Sequence, residues 1–400
     1  NHSINHTLFI YRWQLTLLFI LIEMNVSCRK IFAQAPIKVW DHRYGGTGED
    51  IPIGCNYDTH QAFIPTSDGG SIITGRSASD IGGDKTQSSQ GGGSDFWTVK
   101  MDLNGAKQWD MRHGGSDWEE PYCIVQTSDG GYFITGMSGS PISGDKSQGN
   151  FGSNYDGWVI KIDGSGNKQW DKTFGGNQDD RLHFGVQTSD GGYIVAGWTN
   201  SPVSGNQTVG LQGGSSPDYW ILKLDASGAI QWQKGFGGAA CSDFATCIRQ
   251  TTDGGYIVGG YSFCGASGNK TVPIKGSIDY WILKLDVSGI VQWQKDYGGA
   301  ASSANELTDL IQTSDGGYLL CGQSNSAIGG DKTQASKGWI DTWLIKTDNL
   351  GVKTWDKDFG GTDNEESANV QQTSDGGYLV GVGCYSPASV DITQGVPAGN

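Results

Sequence analysis

The chain has 400 residues, with 64 glycines but only 10 prolines, and 11% of its residues are aromatic. This balance favours many short strands joined by tight turns and argues against a fold built from long helices. The 27 basic and 42 acidic residues give a formal charge of −15, which argues against nucleic acid and anionic lipid as partners and favours cations or neutral partners such as glycans.

Residues 1–35 differ in composition from the rest of the chain. An apolar run from Leu15 to Ile22 follows Arg12, and the small-residue site Ala33-Gln-Ala35 comes after it. This order is typical of a secretory signal peptide, and the run is too short to cross a bilayer as a helix. An alternative is a lipoprotein-type site at Val26-Ser-Cys28. We therefore predict export, no transmembrane span, and a secreted or cell-surface location.

The remaining residues, 36–400, repeat one pattern six times. An Asp-Gly-Gly element recurs in steps of 61, 61, 63, 62 and 60 residues, at Asp68, Asp129, Asp190, Asp253, Asp315 and Asp375. A Trp-x-x-x-x-Gly-Gly element recurs with it, at Trp40, Trp109, Trp170, Trp232, Trp293 and Trp355. So constant a period indicates an array of similar units that bury their apolar faces against one another.

Each repeat contains four apolar segments bounded by Gly, Asp or Ser. In the fourth complete copy the predicted strands are Cys247–Thr251, Tyr256–Tyr261, Asp279–Leu285 and Ile290–Lys295. Short Gly-containing turns make them antiparallel hairpins. The pattern predicts an all-β, six-bladed β-propeller of four-stranded blades.

The two ends of the chain are out of phase with this repeat. It begins on a fourth strand, Ile37–Asp41, and ends after a second strand. We expect the N-terminal strand to close the last blade, as strand exchange does in propellers, and that blade to lack its third strand. The hypothesis is a monomeric ring within a larger chain, truncated at its C-terminus.

The repeats resemble those of known propeller families. Leu224-Asp-Ala-Ser-Gly-Ala-Ile-Gln-Trp232 is similar to the tryptophan-docking motif of PQQ-type propellers, which implies that Trp109, Trp170, Trp232, Trp293 and Trp355 pack between blades. The turn Thr188-Ser-Asp-Gly-Gly-Tyr-Ile-Val195 is similar to the Asp-box hairpin of sialidase-like propellers. The whole unit resembles repeats of large bacterial proteins exported through the type IX system. Both motifs are structural in their families.

One face of the predicted disc carries every long loop, because connections alternate between the two ends of an antiparallel blade. That face also holds acidic loops after each Gly-Gly. Its candidate ligand-binding residues are Asp117, Glu119, Asp179, Asp180, Asp243, Glu306, Glu365 and Glu366. If they surround the axis, they could take Ca²⁺ or a polyhydroxylated ligand. The alternative is that they are solvated loop tips and turn-forming residues.

Repeated polar residues have structural interpretations. The glutamines before each turn face the axis or satisfy backbone groups between blades, and the third-strand lysines pair with Asp or lie at a solvent edge. One loop position is always Asp or Asn, which predicts loop capping. These three sets are Gln126, Gln187, Gln250, Gln312, Gln372; Lys100, Lys161, Lys223, Lys284, Lys346; and Asp84, Asp145, Asn206, Asn269, Asp331, Asp391.

The cysteines show no zinc-binding spacing. In an exported protein, Cys241 with Cys264, or Cys55 with Cys384, could form disulfides; the alternative is that all are buried thiols.

Catalysis needs an asymmetric cluster, and near-identical repeats offer little of one. Arginines and histidines occupy unmatched positions, without a triad or HExxH pattern. We predict a non-enzymatic binding or scaffold module without a cofactor, whose partner is a glycan or a protein. A carbohydrate- or Ca²⁺-binding module is the alternative, and a glycan-active enzyme is a more distant one.

Overall fold

A computed structural model describes residues 10–11, 38–40, 42–52, 62–152, 154–389 and 391–392. Apart from residues 10–11, the predicted export segment 1–35 lies outside the described residues, as does Cys55. Every named element in the described ranges is a β-strand. Within these ranges, no helix has the length and apolar content needed to span a membrane.

The N-terminal residues form a small separate sheet, followed by the first blade. The sheet pairs β1 (Ile10–Tyr11) with β2 (Lys38–Trp40). In the first blade, β3 (Asp50–Pro52) and β4 (Phe63–Pro65) both pair with β5 (Ser71–Ser77), which is followed by β6 (Asp95–Met101) and β7 (Lys107–His113). Two short strands therefore share the place of a first strand.

The next four blades are regular four-stranded antiparallel sheets in chain order. The second contains β8 (Glu119–Gln126), β9 (Tyr132–Ser138), β10 (Asp156–Ile162) and β11 (Lys168–Phe174). The third contains β12 (Asp180–Gln187), β13 (Tyr193–Thr199), β14 (Asp218–Leu224) and β15 (Ile230–Phe236). The fourth contains β16 (Asp243–Gln250), β17 (Tyr256–Ser262), β18 (Asp279–Leu285) and β19 (Val291–Tyr297). The fifth contains β20 (Asn305–Gln312), β21 (Tyr318–Ser324), β22 (Asp341–Thr347) and β23 (Lys353–Phe359).

The sixth blade consists of β24 (Glu365–Gln372) and β25 (Tyr378–Cys384), which form a two-stranded sheet. First strands of neighbouring blades contact one another, which places them innermost. The six-bladed all-β prediction is confirmed, and so is the missing third strand of the last blade, within the part of the chain that the structure describes.

The predicted strand exchange is not among the described pairings, because Lys38–Trp40 pairs with Ile10–Tyr11 and not with the sixth blade. The residues that follow are held by the first blade. The Tyr44 hydroxyl donates to the Gly105 carbonyl, as the Tyr297 hydroxyl donates to that of Gly351 between the fourth and fifth blades. Residues 44–46 therefore contact the first blade in the same way that the end of a fourth strand contacts the blade that follows it.

Packing between blades rests on fully buried third strands. Trp158, Trp220, Trp281 and Trp343 are each 0% exposed. The Trp281 ring lies 4.7 Å from Tyr219 of the preceding blade, and Trp343 lies 5.1 Å from Tyr280. Such aromatic pairs add about 0.5–1.5 kcal/mol each beyond their buried area. The repeated Trp therefore links each blade to its neighbour.

The fourth-strand tryptophans also contact the next blade. Trp232 makes an edge contact with Tyr256 at 5.9 Å, and the same pairing recurs for Trp109, Trp170, Trp293 and Trp355. Gly289, in the Asp-x-x-Gly turn of that blade, adopts φ 75°, and a Cβ there would lie 2.9 Å from the Trp232 ring. Glycine is needed both for this backbone conformation and for the close approach. The predicted interblade packing of these tryptophans is confirmed.

The Asp-Gly-Gly turns close the hairpin face of the disc. Asp68 Oδ1 accepts hydrogen bonds from Thr66 and the Gly70 N–H, and Lys100 Nζ lies 2.8 Å from Asp68 Oδ2. The Lys100 ammonium and the Thr66 hydroxyl lower the pKa of Asp68 to about 2. Equivalent ion pairs join Asp129, Asp190, Asp253 and Asp315 to third-strand lysines. The predicted Lys–Asp pairing is confirmed.

The repeated glutamines satisfy backbone groups between blades. Gln187 Oε1 accepts from the Ser128 N–H at 2.7 Å, in the turn of the preceding blade. The same bond is made by Gln126, Gln250, Gln312 and Gln372. The interblade alternative given for these residues is therefore the correct one.

Candidate functional site

The long-loop face is built on loops that fold back onto the blades. Lys332 is buried in its loop, and its Nζ donates to Ser324 Oγ at 2.9 Å and pairs with Asp358. Asp331 Oδ2 accepts from the Gly298 N–H at 3.1 Å, as the repeated Asp or Asn does in the other blades. The predicted capping role is confirmed, because the repeated Asp or Asn ties the long loop of each blade to the Gly-Gly loop.

First strands begin earlier than the sequence pattern predicts, and this decides the geometry of the face. β16 begins at Asp243 and not at Cys247, because Asp243 and Phe244 pair with Ser262 and Tyr261 of β17. Acidic residues predicted in loops therefore lie in the ladder. In each blade we call the cross-strand pair equivalent to Asp243–Ser262 the inner rung. The next pair, equivalent to Phe244–Tyr261, is the outer rung.

Inner-rung residues are of one chemical kind in all six blades. A carboxylate or amide faces Ser, Thr or Cys, in the pairs Asp50–Ser77, Glu119–Ser138, Asp180–Thr199, Asp243–Ser262, Asn305–Ser324 and Glu365–Cys384. Glu119 is 0% exposed; it accepts from the Gly115 N–H at 2.7 Å and from Ser138 Oγ at 2.6 Å. These side chains hold the Gly-Gly loop, which is a structural task.

A second buried carboxylate faces the inner rung from the preceding blade. In the second blade this carboxylate is Asp156, which lies near the inner-rung Asp180 of the third blade. Gly175 lies between them: a Cβ added to it would be 2.3 Å from Asp156 Oδ1 and 2.8 Å from Asp180 Oδ2. Asp156 Oδ2 accepts from the Phe151 N–H, whereas its buried Oδ1 has no hydrogen-bond partner among the described residues. Burial raises the pKa of Asp95, Asp156 and Asp218 to about 7.

The fifth blade shows how an amide changes this arrangement. Asn305 Nδ2 donates to Asp279 Oδ1 at 3.2 Å, so the facing pair there is a carboxylate and an amide. An amide supplies the donor that a second ionised carboxylate lacks. A proton on one carboxylate would serve the same purpose in the other blades, because two ionised carboxylates so close together repel.

Outer-rung pairs differ in every blade. They are Ile51–Arg76, Glu120–Met137, Arg181–Trp198, Phe244–Tyr261, Glu306–Gln323 and Glu366–Gly383. Most of these side chains are partly exposed. Successive side chains of a strand point to opposite faces, so residues one position apart experience different constraints.

Contacts between blades join outer-rung residues at two places, between the first and second blades and between the third and fourth, and we call the outer-rung side chains together the outer-rung band. Arg76 lies 4.0 Å from Glu120 and 4.7 Å from the Trp118 ring. The Arg181 guanidinium lies 5.2 Å from the Trp198 ring, and Trp198 makes an edge contact with Phe244 at 5.6 Å.

Aromatic residues continue this band into the fourth blade. The Phe244 ring lies 5.3 Å from Tyr261 and 6.3 Å from Phe263, which is 42% exposed. We call Trp198, Phe244, Tyr261 and Phe263 the aromatic block. The long-loop face thus carries arginine and glutamate on the first two blades, aromatic rings on the next two, and Glu306 with Gln323 on the fifth.

The eight predicted ligand-binding carboxylates fall into three separate groups. Four belong to the buried inner rung, namely Glu119, Asp180, Asp243 and Glu365. Two lie in loops, where Asp117 is exposed and Asp179 Oδ1 accepts from the Tyr155 N–H. The other two, Glu306 and Glu366, lie in the outer rung. Among the described residues, no three His, Cys, Asp or Glu side chains come together as a metal ion would require.

The aromatic block and the outer-rung arginines were not predicted from the sequence. A signal was present, since one position changes in every repeat while its neighbour keeps one chemical type. Without the ladder register, the changing residues could not be assigned to one surface. A disulfide joins the two segments that carry the fourth-blade part of the block: Cys241, three residues before Phe244, is bonded to Cys264, which follows Phe263, with their Cα atoms 5.6 Å apart. The predicted Cys241–Cys264 pair is confirmed, Cys123, Cys247 and Cys321 are buried thiols, and Cys384 is a free thiol in the structure.

No protein-family model matches the chain, and no curated protein matches it. Solved structures with a similar arrangement include a protein of unknown function from Bacteroides caccae, with a TM-score of 0.38, 10% identity, and coverage of 80% of this chain and 85% of that one. Kuenenia stuttgartiensis hydrazine synthase has a TM-score of 0.46, 11% identity, and coverage of 86% and 78%. The Neurospora crassa Pan2 WD40 domain has a TM-score of 0.42, 12% identity, and coverage of 84% and 92%.

Proposed function

We propose that the chain is a non-enzymatic binding module whose ligand lies on the outer-rung band of the long-loop face. One observation carries this proposal. In all six blades the inner rung pairs a carboxylate or amide with Ser, Thr or Cys, whereas the outer rung has a different pair of residues in each blade. The inner rung is used for holding loops. In the outer rung Met137 and Trp198 are buried and the other side chains are partly exposed, and the pairs do not repeat from blade to blade, which is the asymmetry that recognition of a specific ligand needs.

A neutral glycan is the ligand class that the aromatic block favours. Aromatic side chains offer a large, rigid contact area at low entropic cost, and their apolar faces suit the C–H faces of sugar rings. Arg181, the cross-strand partner of Trp198 on the third blade, and Glu306 on the fifth blade offer a donor and an acceptor for hydroxyl groups. The net charge of −15 disfavours anionic ligands. A protein ligand is the second candidate, since surfaces rich in Tyr, Trp and Arg are typical of interface hot spots.

The proposal includes the setting of the module. We propose that it belongs to a larger exported protein, secreted or at the cell surface. The segment Leu15–Ile22 with Ala33-Gln-Ala35 supports export, and the Cys241–Cys264 disulfide is the kind of bond that persists in oxidising compartments.

A glycan array probed with the purified chain tests the ligand class. We expect neutral oligosaccharides to bind, and a Phe244→Ala/Tyr261→Ala variant to lose at least about tenfold in affinity, since an anchoring aromatic residue contributes more than 1.4 kcal/mol. Val287→Ser is the matched control, because Val287 is 63% exposed in a turn on the opposite face.

Three results would contradict the proposal or part of it. Equal binding by the wild-type chain and the aromatic variant would place the site elsewhere, and no glycan binding would leave the protein ligand as the candidate. Conversion of a bound glycan would contradict the non-enzymatic assignment. Titration with calcium, followed by melting temperature, tests the Ca²⁺ alternative separately.

A further inference from the structure

One tie of the long-loop face is made in two chemically different ways. In four blades, a serine two residues after the inner rung accepts a hydrogen bond at 2.8–2.9 Å from the backbone N–H two residues before that rung. These pairs are Gly48–Ser79, Asp117–Ser140, Gln178–Ser201 and Asp363–Ser386. In the fourth blade the same two positions are Cys241 and Cys264, which are bonded to each other. A covalent bond therefore replaces the hydrogen bond of the other blades.

The loop that this bond holds is longer than its counterparts and has an unfavourable backbone conformation. Asp243 lies five positions after Gly238, whereas Glu119 lies four positions after Gly115. In the longer loop Ala240 adopts φ 62°, a left-handed conformation that is costly for a residue with a Cβ. The residue that follows Ala240 is Cys241, so the disulfide fixes the loop next to its least favourable residue.

The disulfide also encloses the part of the hairpin that carries Phe263. The Phe263 N–H donates to the Ser242 carbonyl at 3.1 Å, and Cys241 and Cys264 are the residues on the outer side of this hydrogen bond. The Phe263 ring contacts Phe244 and Tyr261 of the aromatic block. The bond that holds the loop therefore also holds the edge of the block.

A reduced form of this pair is compatible with the fold. Cys264 Sγ lies 3.3 Å from Asp243 Oδ2, and in the third blade Ser201 Oγ donates to Asp180 Oδ2 at 2.8 Å. A thiol at position 264 could donate to Asp243 in the same way. Sulfur is only a weak acceptor, so the thiol would hold the loop N–H less firmly than a serine does. The fold would remain, with a looser loop.

We propose that the Cys241–Cys264 bond is a redox switch that sets the order of the aromatic block and, resting on the function proposed above, its affinity for ligand. The reductant is a dithiol. Its thiolate attacks the partly exposed Cys241 Sγ, the S–S bond breaks, and the buried Cys264 leaves as a thiolate that takes up a proton. The second thiol of the reductant then attacks the mixed disulfide, releases Cys241 as a thiol and closes a disulfide in the reductant. The protein gains two electrons and two protons, which the dithiol loses.

The switch makes order of the block depend on the compartment. Oxidising compartments favour the bonded form, and reducing ones favour the dithiol. The block is therefore ordered where an exported protein works, and it is loosened in a reducing environment.

Hydrogen exchange measures the switch without any ligand. In the full chain, the Phe263 amide should exchange at least about tenfold faster after reduction with dithiothreitol, because its hydrogen bond to Ser242 loses the covalent bond beside it. The Asn200 amide is the control within the chain. It donates to the Asp179 carbonyl at the equivalent place in the third blade and should exchange equally in both forms. Re-oxidation with oxidised glutathione should restore the slow exchange of Phe263.

A variant with serine at both positions removes the switch. The Phe263 amide of Cys241→Ser/Cys264→Ser should exchange at one rate with and without dithiothreitol. Cys384→Ser, which removes a thiol outside the bond, should respond as the wild-type chain does. The proposal is overturned if reduction leaves the Phe263 amide unchanged, or if the double variant still responds. Equal acceleration at Asn200 would also overturn it, since the bond would then support the whole fold and not the block.

A glycan array probed with both forms tests the control of binding. An oligosaccharide that binds the disulfide form should bind the dithiol form at least about tenfold more weakly. Equal binding by the two forms would overturn the control of the site. If neither form binds any glycan, the ligand class proposed above fails, and the exchange of Phe263 alone decides whether the disulfide orders the block.

Discussion

The inner and outer rungs of the first hairpin lie one residue apart, yet they behave as two different regions. Asp243 is buried against the Gly-Gly loop, while Phe244, the next residue, lies partly exposed in the aromatic block. The difference arises because successive side chains of a strand point to opposite faces of the sheet. Only the face that carries Asp243 contacts the Gly-Gly loop. Neighbouring residues of one strand can thus differ, one being held by the framework in every blade and the other free to vary from blade to blade.

Breaking the framework should have the largest effect on stability. Trp281→Ala removes a fully buried ring that contacts Tyr219, and we expect a loss of about 3–5 kcal/mol in the free energy of unfolding. Chemical denaturation of the purified chain measures it. Trp339→Ala is the control, because Trp339 is 79% exposed and its loss should be nearly neutral. Similar losses for both variants would contradict the packing assigned to Trp281.

The facing carboxylates should make stability depend on pH. Asp156 has a pKa of about 7 in the fold against 3.8 as its ordinary value, so the folded chain binds more protons between these values. Its contribution is therefore full below about pH 4 and is lost as pH rises through 7. The charged groups around it are Asp180, Lys146 and Asp179.

Asp156→Asn should remove this dependence and stabilise the chain at pH 8 by about 1–3 kcal/mol, since an amide donor replaces an unpartnered oxygen. Asn305→Asp is the opposite change and should add the dependence to the fifth blade. Melting temperatures at pH 5 and pH 8 measure both effects. A melting temperature of the wild-type chain that rises with calcium at pH 8 would instead indicate that a cation, and not a proton, neutralises the pair.

The turn ion pairs should give the smallest effect, and one visible only in acid. Lys100 lowers the pKa of Asp68, so this stabilisation is present above pH 4 and is lost as pH falls towards 2. Asp68→Asn should reduce the acid sensitivity of the melting temperature, within the range of about 0–1 kcal/mol that is usual for exposed pairs. Asp375→Asn is the matched control, because Asp375 has no lysine partner among the described residues, and an equal effect there would show that the lysine is unimportant.

Much of the fold could be predicted from the repeat. The turns at Asp253 and Asp286, the strand Asp279–Leu285 and the interblade position of Trp232 all follow from local rules for hairpins and apolar runs. First-strand starts were predicted too late, at Cys247 and not at Asp243. Acidic and glycine-rich residues there read as a loop, and only pairing with β17 makes them a strand.

The sequence by itself determined the number of blades and their strands. It also determined where a glutamine, a lysine and a tryptophan recur, because the same residue types occupy the same positions in successive repeats. Tertiary structure decided which carboxylates are buried, since burial depends on the face that a side chain presents once the ladder register is set. It also decided that Trp198, Phe244 and Tyr261 meet, because they come from different strands of two blades and only interblade packing brings them together.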